Sequence, residues 1–252
     1  MVELTIFNII LILINVGIIY LCKKYFSEKK NLVLLIVAIS TILCHYSSLL
    51  YHQIVNGTPL VFLKENPNLI LPIYPCNVVM WSCLIFGLIK NKESKLGKFL
   101  VNYIFWFGLF SSLIGMIVNV DFIQNPTLKN YDVTKGIIAH SILLLNVLLL
   151  KAFGYLKFDF KKNMIHMVIS VVMMFFIGCY CNLVFYVIST PERAFHVNSM
   201  FLIHSPFEGV DFLTYPFIAL VALILYFIVF TVIDLIKNEK GNRWFNKINL
   251  NK

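Results

Sequence analysis

The sequence predicts an all-α membrane protein: a bundle of about seven transmembrane helices, N-terminus outside and C-terminus in the cytoplasm. Three observations predict it. First, 60% of the 252 residues are hydrophobic and 13% charged, against roughly 45–50% and about 25% in soluble domains, so the excess apolar surface must face lipid. Second, the apolar residues fall into seven runs near the roughly 20-residue length of a spanning helix. Third, the cations collect in alternate loops, as membrane topology requires.

The first run, residues 4–22, follows Glu3 and stops at Lys23 and Lys24. No basic region precedes it and no A-x-A site follows, so it is expected to be a retained signal anchor rather than a cleaved leader. The second and third runs cover 32–52 and 71–89; in the third, Pro72 and Pro75 suit a first helical turn, where a missing N–H costs little. The fourth covers 99–119. The fifth, 136–150, is the shortest. The sixth and seventh cover 164–188 and 212–236. Between these last two, residues 189–211 carry Phe195, Met200, Phe201, Leu202, Ile203 and Phe207, too apolar for a solvated loop. An interfacial or re-entrant segment over the outer mouth of the bundle is expected there. Residues 237–252 form a basic cytoplasmic tail, and 1–252 reads as a single domain.

Of the 21 Lys and Arg residues, 17 follow the first, third, fifth and seventh runs; the other four are Lys64, Lys129, Lys135 and Arg193. The positive-inside rule then places the tail inside. The net charge of +9 does not indicate nucleic-acid binding, because no basic stretch is long enough to track a phosphate backbone. No internal repeat is visible. Six cysteines are present without a CxxC, and no disulfide framework is expected.

Polar side chains are costly inside a membrane, so their placement is informative. No Asp, Glu, Lys or Arg lies mid-run; Asp234 is near a cytoplasmic end. His45 and His52 are seven residues apart in the outer half of the second run, hence on one face. Cys76 and His140 each lie about five residues inside the outer end of their runs, roughly 7–8 Å deep. Ser111 and Asn182 also fall in outer halves. A single Cys reads as a small packing residue, and a single His as an interhelical hydrogen-bonding partner. Cys76 and His140 are singled out because they come from different helices at matched depth. A thiolate is the nucleophile, an imidazole can take and return its proton, and Asn77 or the N–H groups heading the third helix could hold an oxyanion.

A metal site is the rival chemistry. His45 and His52 are about 10.5 Å apart along a helix, too far to share one ion. His204 and Glu208 have i,i+4 spacing, but Pro206 intervenes. No metal and no cofactor is expected.

The string Leu71-Pro72-Ile73-Tyr74-Pro75-Cys76-Asn77 resembles the signature of the bacterial YwaF-like integral membrane family, approximately Leu-Pro-Leu-His-Leu-Cys. It is also similar to eukaryotic transmembrane protein 164, a cysteine-dependent phospholipid acyltransferase with approximately Pro-Cys-His. His140 and NSMFLIHSP at 198–206 extend the resemblance over most of the chain. Tyr74 stands where the bacterial pattern has His, Asn77 where the eukaryotic one has His, and Ser199 where Tyr is expected.

The resemblance implies acyl transfer or acyl-ester hydrolysis on membrane lipids near the outer face. Cys76 would be the nucleophile, His140 the base, and His45 or His52 an assistant. Tyr74, Asn77, Ser111 and Asn182 are candidate substrate contacts. Membrane lipids are the expected partners and the cell membrane the expected location. The alternatives are a non-enzymatic permease or small-ligand carrier, disfavoured by the lack of intramembrane charge and of repeats, and a structural subunit. A reporter fused after Lys237 should be found in the cytoplasm and one inserted near Asn125 outside; both on one side would overturn the helix count between them.

Overall fold

A computed structural model describes residues 2–57, 67–117, 127–188, 191–206 and 209–249, and every regular element among them is helical. Among the described residues, six helices are long and apolar enough to cross a membrane: α1 (Val2–Tyr25), α2 (Lys30–Asn56), α4 (Lys95–Ile117), α5 (Tyr131–Ala152), α6 (Phe160–Ile188) and α8 (Tyr215–Lys237). A seventh apolar helix, α3 (Pro75–Leu88), has 14 residues, about 21 Å at 1.5 Å each. The short helices α7 (Pro191–Val197) and α9 (Trp244–Asn249) complete the list. Two compact units can be described, Met1–Leu156 and Lys157–Lys252.

Two expected spans differ in length. The third apolar run spans 71–89, yet the helix starts only at Pro75. Proline disfavours helical backbone in the residue before it, and Tyr74 is extended (φ −118°, ψ 155°). The fifth apolar run, 136–150, is the shortest, yet α5 has 22 residues. Its first turn holds Asp132 and Lys135, which an apolar-run criterion excludes. Asn130 caps that turn, its side-chain oxygen accepting from the backbone N–H groups of Asp132 and Val133, the usual way to satisfy orphan donors at a helix start.

In the first unit, α5 is the hub, packing against α1, α2 and α4. Its buried residues include Val133, Ile137, Leu144, Val147 and Leu150. The α2 face toward it repeats at alternating spacings of four and three: Leu34, Ala38, Thr41, His45 and Ser48 are all buried. Helix pairs in lipid gain specificity from interhelical hydrogen bonds, and α5 supplies several. Asn146 Nδ2 donates to Leu34 O at 3.3 Å, and the Cys44 thiol to Lys135 O at 3.8 Å. Asn15 of α1 donates to both the backbone O and the Oγ of Ser141, at 2.9 and 3.0 Å. At the opposite end, Lys92 Nζ donates to the carbonyls of Phe86, Gly87 and Ile89 and so closes the C-terminus of α3. Burial there lowers the Lys92 pKa from its ordinary value.

In the second unit, α6 packs against α7, α8 and the 3₁₀ turn Ser199–Phe201. The described part of the segment between α6 and α8 is partly buried. Met200 is buried, and Met200 and Leu202 cover Gly178 of α6 so closely that a Cβ there would lie 2.5 Å from Leu202 Cδ1. Phe195 and Ile203 stay 51% and 41% exposed, while Phe207 and Glu208 lie outside the described residues. Replacing Asn15 by Ala should weaken the α1–α5 contact by about 0.5–2 kcal/mol. A double-mutant cycle with Ser141→Ala, read by detergent or steric-trap unfolding, checks this; additive effects would show that the pair contributes nothing.

Candidate functional site

Cys76 lies in the first turn of α3, not five residues inside a helix as its run suggests. Pro75 is the first helical residue and Tyr74 the N-cap. Asn77 Oδ1 accepts the Tyr74 backbone N–H at 3.2 Å, the return half of a capping box. Cys76 is half-buried in this first turn, where backbone N–H groups of a helix lack intrahelical acceptors. Tyr74 and Asn77, expected as substrate contacts, thus build the start of the helix that carries the thiol.

His140 is set by two contacts. Its Nδ1 lies 2.8 Å from Gly136 O, so Nδ1 carries the hydrogen and Nε2 keeps its lone pair. Its ring fills the place of a missing side chain on α4: a Cβ on Gly115 would stand 2.1 Å from Cδ2 and 2.2 Å from Nε2. Among the described residues, no hydrogen bond joins Cys76 to His140.

His45 and His52 share one face of α2, as their spacing predicts, but have different partners. His45 Nε2 meets the backbone O of Asn68 at 3.4 Å, in the segment leading to α3. His52 Nε2 meets Asp132 Oδ2 at 2.9 Å, and Ser48 Oγ donates to Asp132 Oδ1 at 3.0 Å. Lys135 Nζ stands 3.9 Å from the same carboxylate. Beside it Tyr131 stacks on Tyr51, centroids 3.9 Å apart, and its hydroxyl donates to Ser47 Oγ. Sequence reading missed Asp132, Lys135, Ser48 and Gly115. Asn130 followed by Asp132, a cap with an acid in the first turn, was the available signal for an earlier helix start. Nothing in the sequence marked Gly115.

The remaining candidates have partners of their own. Ser111 Oγ turns back to Gly108 O at 3.5 Å. In the second unit, Asn182 Oδ1 accepts the Ser199 N–H at 2.8 Å while its Nδ2 donates to Ser199 O, so its amide pairs with a loop peptide. Asn198 Oδ1 accepts the N–H groups of Ile203 and His204. These bonds hold left-handed backbone at Asn198, Met200 and Phe201, with φ of 43°, 55° and 56°, a conformation that non-glycine residues keep only when their surroundings impose it. The His204 ring lies between Phe195 O and Ser205 O, 3.0 and 2.9 Å from its two nitrogens.

In comparisons with known proteins, the TMEM164 family matches residues 2–234. No curated protein and no solved structure matches the chain. The tight His140–Gly115 contact makes a direct prediction. Gly115→Ala should displace the imidazole and destabilise the protein, whereas in a His140→Ala background it should cost little. The coupling expected for residues in direct contact is about 0.5–3 kcal/mol, read from the four unfolding free energies. Strict additivity would mean the ring does not occupy that space.

Proposed function

The chain belongs to the TMEM164 family, and from that premise we propose that it is a multi-pass membrane enzyme that transfers or hydrolyses acyl groups of membrane lipids through Cys76 and His140. The observation carrying this reading is the place of Cys76: a half-buried thiol in the first turn of a helix, right after the N-cap Tyr74 and Pro75. The His140 tautomer supports it, since the Gly136 carbonyl holds the hydrogen on Nδ1 and leaves Nε2 as the basic nitrogen.

The chemistry needs both groups. His140 Nε2 takes the Cys76 proton, directly or through one water. The sulfur adds to the ester carbonyl of a phospholipid. The resulting oxyanion falls near the backbone N–H of Cys76, which has no acceptor within the helix at this position. The ester C–O bond breaks, the lysolipid oxygen leaves with the proton from His140, and the acyl group remains as a thioester on Cys76. A lysolipid hydroxyl then gives its proton to His140 and attacks the thioester, releasing the thiol once His140 returns the proton; water in its place gives hydrolysis. The cation pattern puts the head of α3 on the outer side, away from cytoplasmic acyl-CoA, so a lipid of the outer leaflet is the acyl donor.

The test is turnover of an acyl-labelled phospholipid by protein reconstituted in vesicles. Cys76→Ser should abolish most turnover and leave no labelled thioester, His140→Ala should lower the rate about 10²- to 10⁴-fold, and Cys83→Ser should change little. Parental turnover in Cys76→Ser would end nucleophilic catalysis at this position and leave a carrier as the reading.

A further inference from the structure

The tail after α8 folds back onto the second unit. Asp234, 3% exposed near the end of α8, accepts Asn238 Nδ2 at 2.7 Å and the Trp244 backbone N–H at 2.9 Å. The Trp244 ring stacks on Phe160 at the head of α6, with centroids 4.7 Å apart and planes 5° apart. It meets Phe227 of α8 edge-on at 5.4 Å. Arg243 is turned back over the end of α8, its guanidinium donating to Asn238 O at 3.4 Å and Leu235 O at 3.5 Å. Lys237 Nζ lies over the Phe158 ring at 5.6 Å.

Trp244 therefore ties the last turn of α8 to the first turn of α6, and the cations flanking both come with it. Lys161, Lys162 and Lys237 are exposed, and Arg243 is half-buried. The acids nearby do not balance them: Asp159 pairs with Lys162 at 3.7 Å, Asp234 is buried in the fold-back, and Glu239 is exposed. Phe245, next to the plug, is 38% exposed. Cations that serve topology alone need only lie near the ends of the spans. They do not need a tail pinned by a buried carboxylate, an aromatic stack and a turned-back guanidinium. Clustered Lys and Arg beside a span attract anionic lipid.

We propose that this end of the second unit is a binding site for anionic phospholipid headgroups, built from Lys161, Lys162, Lys237 and Arg243 around the Trp244 plug. It is independent of the chemistry at Cys76. The test uses the full-length protein in nanodiscs of phosphatidylcholine mixed with phosphatidylglycerol, with native mass spectrometry reading the lipid that stays bound on release. The parent should retain phosphatidylglycerol over phosphatidylcholine. Replacing the four cations by Gln should lower that preference by more than tenfold, since each juxtamembrane cation is worth roughly fivefold in affinity. Replacing them by Lys or Arg in exchange should keep it, which separates lost charge from lost fold. Trp244→Leu, which leaves every cation in place but releases the tail, should lower it severalfold. Neutralising Lys23, Lys24, Lys95 and Lys98 instead should lower it much less. Equal retention of both lipids by the parent, undiminished retention by Trp244→Leu, or the same loss from the control set would overturn the site.

Discussion

Hydrocarbon offers no partner to a buried polar group, so each such group must find one inside the protein, and the arrangement of the first unit follows from that constraint. Several polar residues of α1 and α2 turn toward α5 because it presents acceptors: Ser141 for Asn15, the Lys135 carbonyl for Cys44, the Asp132 carboxylate for Ser48 and His52. Asn146 of α5 returns the favour to α2 at Leu34. With helix and lipid equally apolar, such bonds and close packing, rather than hydrophobic burial, select which faces meet. That explains why α1, with only Leu4 and Asn15 buried, still has a defined seat.

The same constraint shapes the neighbourhood of Cys76. A full-length third span would have left the thiol inside a helix, where every backbone N–H is already bonded. Pro75 delays the helix start, and the amide of Asn77 secures it. The thiol is thereby moved to the one place on a helix where N–H groups lack intrahelical acceptors. The shortness of α3 is thus the feature that gives Cys76 its electrostatic setting, and Lys92 performs the complementary task at the other end by covering the last carbonyls.

Much of this was legible in the amino-acid sequence. Composition and the alternation of cations specify a polytopic helical protein, because the lengths and charges of spanning segments answer to the bilayer rather than to neighbouring helices. The seven-residue spacing of His45 and His52 specifies a common face, since helical periodicity is local. The Pro-Cys-Asn string marks the position where the third helix begins, although the run of apolar residues placed its start too early.

Partnership was decided only by the tertiary structure. Whether His140 meets a glycine, a thiol or lipid depends on which residue of α4 lies opposite, and no local signal distinguished Gly115 from the other glycines. Asp132 falls outside the apolar run 136–150 because hydropathy counts it against a spanning helix; only its placement opposite Ser48 and His52 makes it the junction of α2 and α5. Likewise the basic tail was visible as charge, but its fold-back required Asp234, Trp244 and Phe160, far apart in the chain, to come together. Sequence determines what is local or imposed by the solvent, here the lipid; contacts between distant helices depend on register and packing, which are settled only when the whole chain has folded.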